Sequence, residues 1–96
     1  MSISIIIITF NESINIQRCL ESVKWADEII IVDSGSNDNT VKISKQYTNL
    51  VYEVDWPGFG PQKNRALAHA TSDWVLSIDA DEFISEDLKN EILETV

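Results

Sequence analysis

The tripeptide Asp79-Ala80-Asp81, with two aspartates separated by one residue, directly follows the apolar run Trp74–Ile78. Two ionised carboxylates this close repel each other, at a cost of about 4 kcal/mol for a separation of ~4 Å and an effective dielectric of ~20. A hard divalent cation, Mg²⁺ or Mn²⁺, would remove that repulsion and could in turn hold a phosphate group. An acidic, solvated loop leading into a helix is the alternative interpretation, and the tripeptide alone does not exclude it.

Other polar side chains also follow apolar runs. Thr9, Asn11 and Glu12 leave the first run and would suit the lining of a ligand cleft, although Asn11 can equally be a helix-entry residue. Asp33 follows the second run, Glu28–Val32. It would either accept a hydrogen bond from the ribose or base of a nucleotide, or form the turn that Asp-Ser-Gly-Ser ordinarily makes.

Two cations, Lys63 and Arg65, fall near the start of a predicted helix. They could counter a diphosphate there, helped by the positive end of the helix, whereas a solvated helix face explains one of the two more simply. Trp56 and Phe59 precede them and would form either an aromatic wall for a sugar or base, or ordinary loop packing.

The elements that must position these residues alternate between strand and helix. Runs of β-branched and apolar residues predict four strands, and helical spacing and caps predict four helices between and after them. The strands are Ser2–Thr9, Glu28–Val32, Leu50–Val54 and Trp74–Ile78; the helices are Ile16–Val23, Thr40–Tyr47, Pro61–Ala70 and a last one capped by Ser85. This order predicts an α/β fold with a doubly wound, Rossmann-like parallel sheet, in one domain spanning residues 1–96. Ligands of such sheets bind beyond the carboxyl ends of the strands, where all the polar segments above would lie.

Composition limits the partners and the compartment. The 96 residues, 44% of them apolar, suffice for one modest core, and the net charge of -9 argues against nucleic-acid binding. A phosphate-bearing ligand would therefore need a metal ion or a local basic group. The single cysteine, Cys19, excludes an internal disulfide, and the apolar run Ile5–Ile8 is too short to cross a bilayer. We expect a cytoplasmic protein, with peripheral attachment at the inner face of the membrane as an open alternative.

The common nucleotide-binding fingerprints are missing. Gly58-Phe-Gly60 begins like a dinucleotide-binding motif, but Lys63 stands where its last glycine belongs, and no glycine-rich Walker loop is present. Two rival interpretations stay open. A signalling receiver would bind Mg²⁺ and accept a phosphoryl group on Asp33, and a nucleotidyltransferase would carry a glycine- and lysine-rich loop in place of Phe10–Ser13.

Three segments together resemble the start of a family 2 glycosyltransferase of the GT-A fold. They are Ile5–Glu12 (IIIITFNE), Ile30–Ser36 (IIVDSGS) and Ser77–Glu82 (SIDADE). A fourth, Trp56–Arg65 (WPGFGPQKNR), is similar to bacterial enzymes of the lipopolysaccharide-core β-glucosyltransferase type. The resemblance covers essentially the whole chain.

This resemblance implies a nucleotide-diphosphate sugar donor, with a UDP-sugar as the first expectation, and a divalent metal, Mg²⁺ or Mn²⁺. Asp81 would hold the metal against the diphosphate and Asp79 would face the ribose or donor sugar. Thr9, Asn11, Glu12 and Asp33 would surround the nucleoside, and Lys63 or Arg65 would contact phosphate. Two positions depart from the family pattern: Ser34 stands where a second acid is common, and Glu82 where a third aspartate is frequent.

The resemblance also implies a sugar transfer, with inversion, to a saccharide or lipid-linked acceptor in cell-surface polysaccharide or lipopolysaccharide synthesis. The base that deprotonates the acceptor hydroxyl belongs to a later part of such enzymes, so we expect it beyond residue 96 and the 96 residues alone to be inactive. We further expect the free sheet edge beside Val75–Ile78 to favour self-association.

Overall fold

The computed structural model describes residues 1–96, which form four parallel strands alternating with four helices. The strands are β1 (Ile3–Thr9), β2 (Glu28–Asp33), β3 (Val51–Glu53) and β4 (Trp74–Asp79). The helices are α1 (Ile16–Val23), α2 (Thr40–Ser44), α3 (Phe59–His69) and α4 (Glu86–Thr95). The strand order in the sheet is β3-β2-β1-β4, with every neighbouring pair parallel, so the predicted α/β architecture is confirmed.

The strand β1 lies in the sheet interior and is apolar on both faces, because both faces are covered. Alternate residues of a strand point to opposite faces. Ile5 and Ile7 belong to the larger core, which includes residues of α1 and the edges of α2 and α4. Ile6 packs on the opposite face, in a smaller core that contains Ala66 of α3. Three helices therefore cover one face of the sheet and α3 covers the other.

The helix α1 is attached to the larger core by one stripe of side chains. Ile16, Cys19, Leu20 and Val23 are all fully buried, at the i, i+3, i+4 and i+7 spacing that predicted the helix. Their burial fixes α1 against β1 and β2, and it leaves the opposite side of the helix in solvent.

Two helices differ from their predicted bounds for local reasons. The helix α2 ends at Ser44 instead of Tyr47, because the next amides bond three residues back: Gln46 to the Ile43 carbonyl and Tyr47 to the Ser44 carbonyl, both at 3.0 Å. The helix α3 begins at Phe59, two residues before the expected Pro61. A proline is tolerated there because the first-turn amides of a helix have no intrahelical partner.

Two predicted features of the last segment are confirmed. Ser85 caps α4, and its hydroxyl accepts a hydrogen bond of 3.1 Å from the Leu88 amide. Glu86 and Asp87 stand in the first turn of that helix, where the helix dipole favours negative charge. None of the four helices is long and apolar enough to cross a membrane.

The strands β2 and β4 each extend one residue further than predicted, and in both cases the extra residue is an aspartate. Asp33 is the register partner of Thr9, and Asp79 is the register partner of Ile8. The end of β1 thus has an acid beside it on each side, which brings the polar segments of three strands to one edge of the sheet.

Replacement of Leu20 by alanine tests the role of α1 in the core. Leu20 is fully buried, so Leu20→Ala should lower the free energy of unfolding by about 2–5 kcal/mol through lost burial and the cavity left behind. Leu67→Ala is the matched control, since Leu67 is 50% exposed and its loss should cost less than about 1 kcal/mol. Urea denaturation followed by circular dichroism measures both, and equal costs would contradict this account of the core.

Candidate functional site

A cleft of about 730 Å³ opens at the carboxyl edge of the sheet. Six of the residues singled out in the sequence as candidate ligand contacts line it: Thr9, Glu12, Trp56, Phe59, Asp79 and Asp81. The cleft therefore contains three carboxylates, while none of its lining residues is a lysine or arginine. Its position agrees with the rule that open parallel sheets bind ligands beyond the carboxyl ends of their strands.

The acidic end of the cleft is a tight turn after β4. Ala80 is 4% exposed and packs into the core, whereas Asp79 and Asp81 on either side of it are exposed to the cleft. Glu82 closes the turn: its carboxylate accepts a hydrogen bond of 2.8 Å from the Asp79 amide, and its own amide donates to the Asp79 carbonyl at 3.0 Å. Glu82 is thus used to shape the turn that presents the two aspartates.

The helix α1 supports this turn from below. The Ser22 hydroxyl accepts a hydrogen bond of 2.9 Å from the Ile84 amide, and the Arg18 guanidinium lies 4.6 Å from the centre of the Phe83 ring. The Cys19 thiol lies 3.7 Å from the Asp79 carbonyl oxygen. These contacts join the segment 79–84 to a helix whose own position is fixed by the core.

The pKa of the Cys19 thiol is raised to about 12. Burial is the largest cause, and nearby carboxylates add to it. Glu82, Asp81, Glu12 and Asp79 all contribute, in that order. Four carboxylates thus lie near the cleft floor, and complete burial makes Cys19 a small core residue rather than a reactive thiol.

Asp33 lies beside the cleft but does not line it. Its fully buried carboxylate accepts hydrogen bonds from the Thr9 hydroxyl (2.7 Å), the Ser36 hydroxyl (2.6 Å) and the amides of Gly35 (2.9 Å) and Ser36 (2.8 Å). These four donors match the roughly four acceptor sites of a carboxylate. Asp33 therefore builds the turn after β2, and its proposed contact with a nucleoside stays a prediction.

Asn11 connects two loops at the same edge. It adopts a left-handed backbone conformation (φ 52°), which asparagine tolerates better than most residues. Its amide donates to the Ser36 hydroxyl at 2.8 Å, and its side-chain oxygen accepts from the Asn37 amide at 2.7 Å. Asn11 does not line the cleft, and its role toward a ligand also stays a prediction.

The two cations of α3 have different surroundings. Lys63 is exposed and pairs with no carboxylate, so its ammonium group is available to a ligand. The Arg65 guanidinium forms an ion pair of 2.8 Å with Asp55 and a hydrogen bond of 3.1 Å with Gln62. Neither side chain is among those that line the cleft.

Aromatic residues form another part of the cleft lining. Trp56 and Phe59 line it and contact each other edge to face, with ring centres 4.9 Å apart. Phe10, which the sequence analysis did not single out, lines it as well and is 54% exposed. The available signal for Phe10 was an aromatic residue directly after a strand, in an otherwise polar segment, where packing alone does not require one.

The acidic end fits a divalent cation that a ligand completes. No three histidine, cysteine, aspartate or glutamate side chains converge into a preformed metal cage. Mg²⁺ in phosphate-transfer sites is commonly held by only one or two carboxylates together with the phosphates of the substrate. Asp79 and Asp81 supply hard oxygen donors of this kind, and neither forms a salt bridge with a protein cation.

Several known proteins similar to this chain are named as glycosyltransferases. It is 47% identical over 91 residues to an uncharacterized glycosyltransferase of Rickettsia prowazekii, which aligns with 94% of this chain and 31% of the relative. It is 35% identical over 94 residues to the lipopolysaccharide core biosynthesis glycosyltransferase LpsC of Rhizobium meliloti, covering 93% of this chain and 35% of LpsC. The chain thus spans about a third of the length of these relatives.

Solved structures with the same fold are also glycosyltransferases or synthases that bind uridine nucleotides. The crystal structure of S. aureus TarS 1-349 in complex with UDP-GlcNAc matches 98% of this chain and 30% of TarS, with a TM-score of 0.81 and 28% identity. The glucosyl-3-phosphoglycerate synthase of Mycobacterium tuberculosis, in complex with Mn²⁺, UDP and glucosyl-3-phosphoglycerate, covers 85% of this chain and 35% of that protein. Its TM-score is 0.73 and its identity 28%.

The family model for glycosyl transferase family 2 matches residues 4–96, which is nearly the whole chain. This match replaces the receiver and nucleotidyltransferase interpretations. The fold is that of the GT-A glycosyltransferases seen in both structures. The chain belongs to glycosyl transferase family 2.

Proposed function

We propose that these 96 residues are the donor-binding part of a longer enzyme that transfers a sugar from a nucleotide-diphosphate sugar to an acceptor hydroxyl. The observation that carries this proposal is the cleft at the carboxyl edge. Three carboxylates and several aromatic side chains line it, and no lysine or arginine does. A diphosphate in such a cleft needs a divalent cation or a nearby basic group such as Lys63 to offset the negative charge. The uridine nucleotides bound by the TarS and synthase structures, and the Mn²⁺ in the latter, support a UDP-sugar and a metal here.

The residues divide into three roles. Asp81 would hold Mg²⁺ or Mn²⁺ against the diphosphate, and Asp79 would face the ribose or donor sugar. Thr9, Asn11, Glu12 and Asp33 would surround the nucleoside, of which Thr9 and Glu12 line the cleft directly. Of the two cations proposed for phosphate, Lys63 is free of protein partners, whereas Arg65 is already paired.

Sugar transfer requires a stabilised diphosphate leaving group and a base for the acceptor hydroxyl. The bound metal supplies the first when it is present, and this chain's residues supply its carboxylate ligands. We propose that the base, the acceptor site and the inverting stereochemistry belong to the rest of the enzyme, because the chain spans about a third of its relatives. The name of LpsC supports a saccharide or lipid-linked acceptor in lipopolysaccharide synthesis. The cytoplasmic location expected from the sequence stays a prediction.

Calorimetric titration with UDP and UDP-glucose, with and without Mn²⁺, tests the donor site. We expect binding that depends on Mn²⁺ and that Asp81→Asn weakens about tenfold or more, which corresponds to at least about 1.4 kcal/mol. The matched control is Asp87→Asn, which removes the same charge from an exposed residue in the first turn of α4 and should leave binding unchanged.

Two results would contradict the proposed donor site. One is nucleotide binding of equal strength with and without metal in both the native chain and the Asp81→Asn variant. The other is no binding of either nucleotide to the native chain, although circular dichroism and urea denaturation show that it is folded.

A second proposal concerns partners: we infer that copies of this chain associate through β4. The strand pairs only with β1, so its outer backbone groups are free, and Trp74 and Val75 are 43% and 38% exposed. An apolar groove of about 280 Å³ runs beside it, with Leu88 and Ile92 of α4 on its wall. Free edges flanked by apolar surface favour pairing with another chain.

Sedimentation velocity at micromolar concentrations tests this association. The native chain should sediment as a dimer or larger species, and Val75→Lys should shift it toward monomer because a lysine on an edge strand opposes pairing. Leu67→Lys, which places the same charge on another exposed apolar residue, should leave the distribution unchanged. A compact monomer of the native chain at these concentrations would refute the association.

A further inference from the structure

Arg65 fastens the loop after β3 to the helix that follows it. One terminal nitrogen of its guanidinium lies 2.8 Å from a carboxylate oxygen of Asp55, and it also donates to the Asp55 carbonyl (3.2 Å) and to the side-chain oxygen of Gln62 (3.1 Å). Gln62 is fully buried. The guanidinium therefore connects an exposed loop residue to a buried side chain of α3.

The loop held by this clamp is short and closed at both ends. Asp55 immediately precedes Trp56, and at the other end the Gly58 carbonyl accepts a hydrogen bond of 3.1 Å from the Gln62 amide. Gly58 has a φ of +111°, a conformation that other residues rarely adopt, so any other residue at this turn would be strained. The clamp consequently sets where Trp56 and Phe59 stand.

These two aromatic residues form a wall of the cleft. Trp56 and Phe59 are 48% and 71% exposed, so both rings present surface that a ligand could cover. The wall and Asp81 line the same cleft, together with Ile8 and Thr9 at the end of β1. A nucleotide whose diphosphate lies at Asp81 and whose nucleoside extends across the end of β1 would bring its base to this wall.

On the basis of the proposed function, we propose that Arg65 is a positioning residue: with Asp55 and Gln62 it holds the Trp56–Phe59 wall in place for the planar base of the nucleotide to stack against. Arg65 then acts on the base end of the ligand and not on its phosphates. Lys63, exposed and unpaired two residues earlier, keeps the phosphate role.

Two further observations agree with a geometric role for the clamp. The guanidinium of Arg65 lowers the pKa of the Asp55 carboxyl, so the pair stays ionised at neutral pH. The two side chains are 37% and 80% exposed, and exposed ion pairs add little to stability. Loss of the clamp should therefore alter ligand binding while leaving the unfolding midpoint nearly unchanged.

Uridine and UDP together separate the two possible roles of Arg65. Uridine has no phosphate, so a positioning role predicts that Arg65→Gln weakens uridine and Mn²⁺-UDP by a similar factor, and that Asp55→Asn does the same. Trp56→Ala should weaken both about tenfold or more, as expected when a stacking partner is removed. Lys63→Gln is the matched control and should weaken only Mn²⁺-UDP.

Fluorescence titration can measure these affinities in a Trp25→Phe, Trp74→Phe background, where Trp56 is the sole tryptophan. Calorimetry replaces fluorescence for the Trp56→Ala variant.

Exchanging the charges of Asp55 and Arg65 should restore uridine binding if Arg65 positions the wall, but not if Arg65 contacts phosphate. Asp55→Arg combined with Arg65→Asp restores the ion pair but removes the cation from position 65. We expect this double variant to recover uridine binding to within a few-fold of the native chain, while each single variant stays weak. Failure of the double variant to recover any of the lost affinity, with its unfolding midpoint at the native value, would overturn the positioning role.

The outcomes distinguish this proposal from the donor site itself. Two results would overturn the positioning role and leave the donor site standing. In one, the native chain binds Mn²⁺-UDP but not uridine; in the other, the Arg65→Gln variant loses affinity for UDP alone. Uridine binding that depends on Trp56 and Arg65, without metal-dependent UDP binding, supports the wall and overturns the donor site. Absence of any uridine binding to the native chain at millimolar concentration overturns the wall in every case.

Discussion

The parallel pairing of β1 with β2 on one side and β4 on the other puts the carboxyl ends of three strands side by side. The placement of Thr9, Asp33 and Asp79 follows from that register. Thr9 meets Asp33 because the two are register partners on the same face of the sheet, and Ile8 meets Asp79 in the same way. A shift of one residue would turn each of these side chains to the opposite face, so the isoleucine-rich core of β1 also specifies the chemistry at its end.

The helix α1 connects the core to the acidic turn. Its buried stripe fixes the helix, and its neighbouring residues Arg18 and Ser22 hold the segment after Asp81 through contacts with Phe83 and Ile84. The acidic turn concentrates negative charge near α1, and this charge contributes to the raised pKa of the Cys19 thiol. A divalent cation bound at Asp81, as proposed above, would relieve the electrostatic repulsion within the turn.

The sequence was sufficient to predict the elements whose hydrophobic pattern is strong, and the edge of the sheet where they gather their polar groups. The stripe of α1 and the run of β1 allowed no other assignment, and topology then placed Asp79 and Asp81 at the carboxyl edge. It left open which of the candidate acids would line the cleft. Asp33 and Asp81 look alike in sequence, but the donors that surround Asp33 come from Thr9 and from its own turn, and their convergence depends on register.

The pairing of Arg65 escaped prediction for the same reason. Asp55 lies ten residues before it, and only the backbone path around Gly58 brings the two together. The early end of α2 reflects local competition: Ser44 bonds to the Thr40 carbonyl through its side chain, and the amides that follow close tighter turns. Such choices between nearly equal hydrogen bonds leave little trace in a hydrophobic pattern.

The unequal cover of the two sheet faces has a consequence for motion. Three helices protect one face, but α3 alone protects the other, and it buries only Gln62 and Ala66. An element with so few buried contacts opens at a lower free energy than the central strands. Backbone amides of α3 should accordingly exchange with solvent sooner than those of β1. Because Phe59 of the aromatic wall begins this helix, a ligand that stacks there would order a weakly protected part of the fold, and part of its binding free energy would appear as slower exchange along α3.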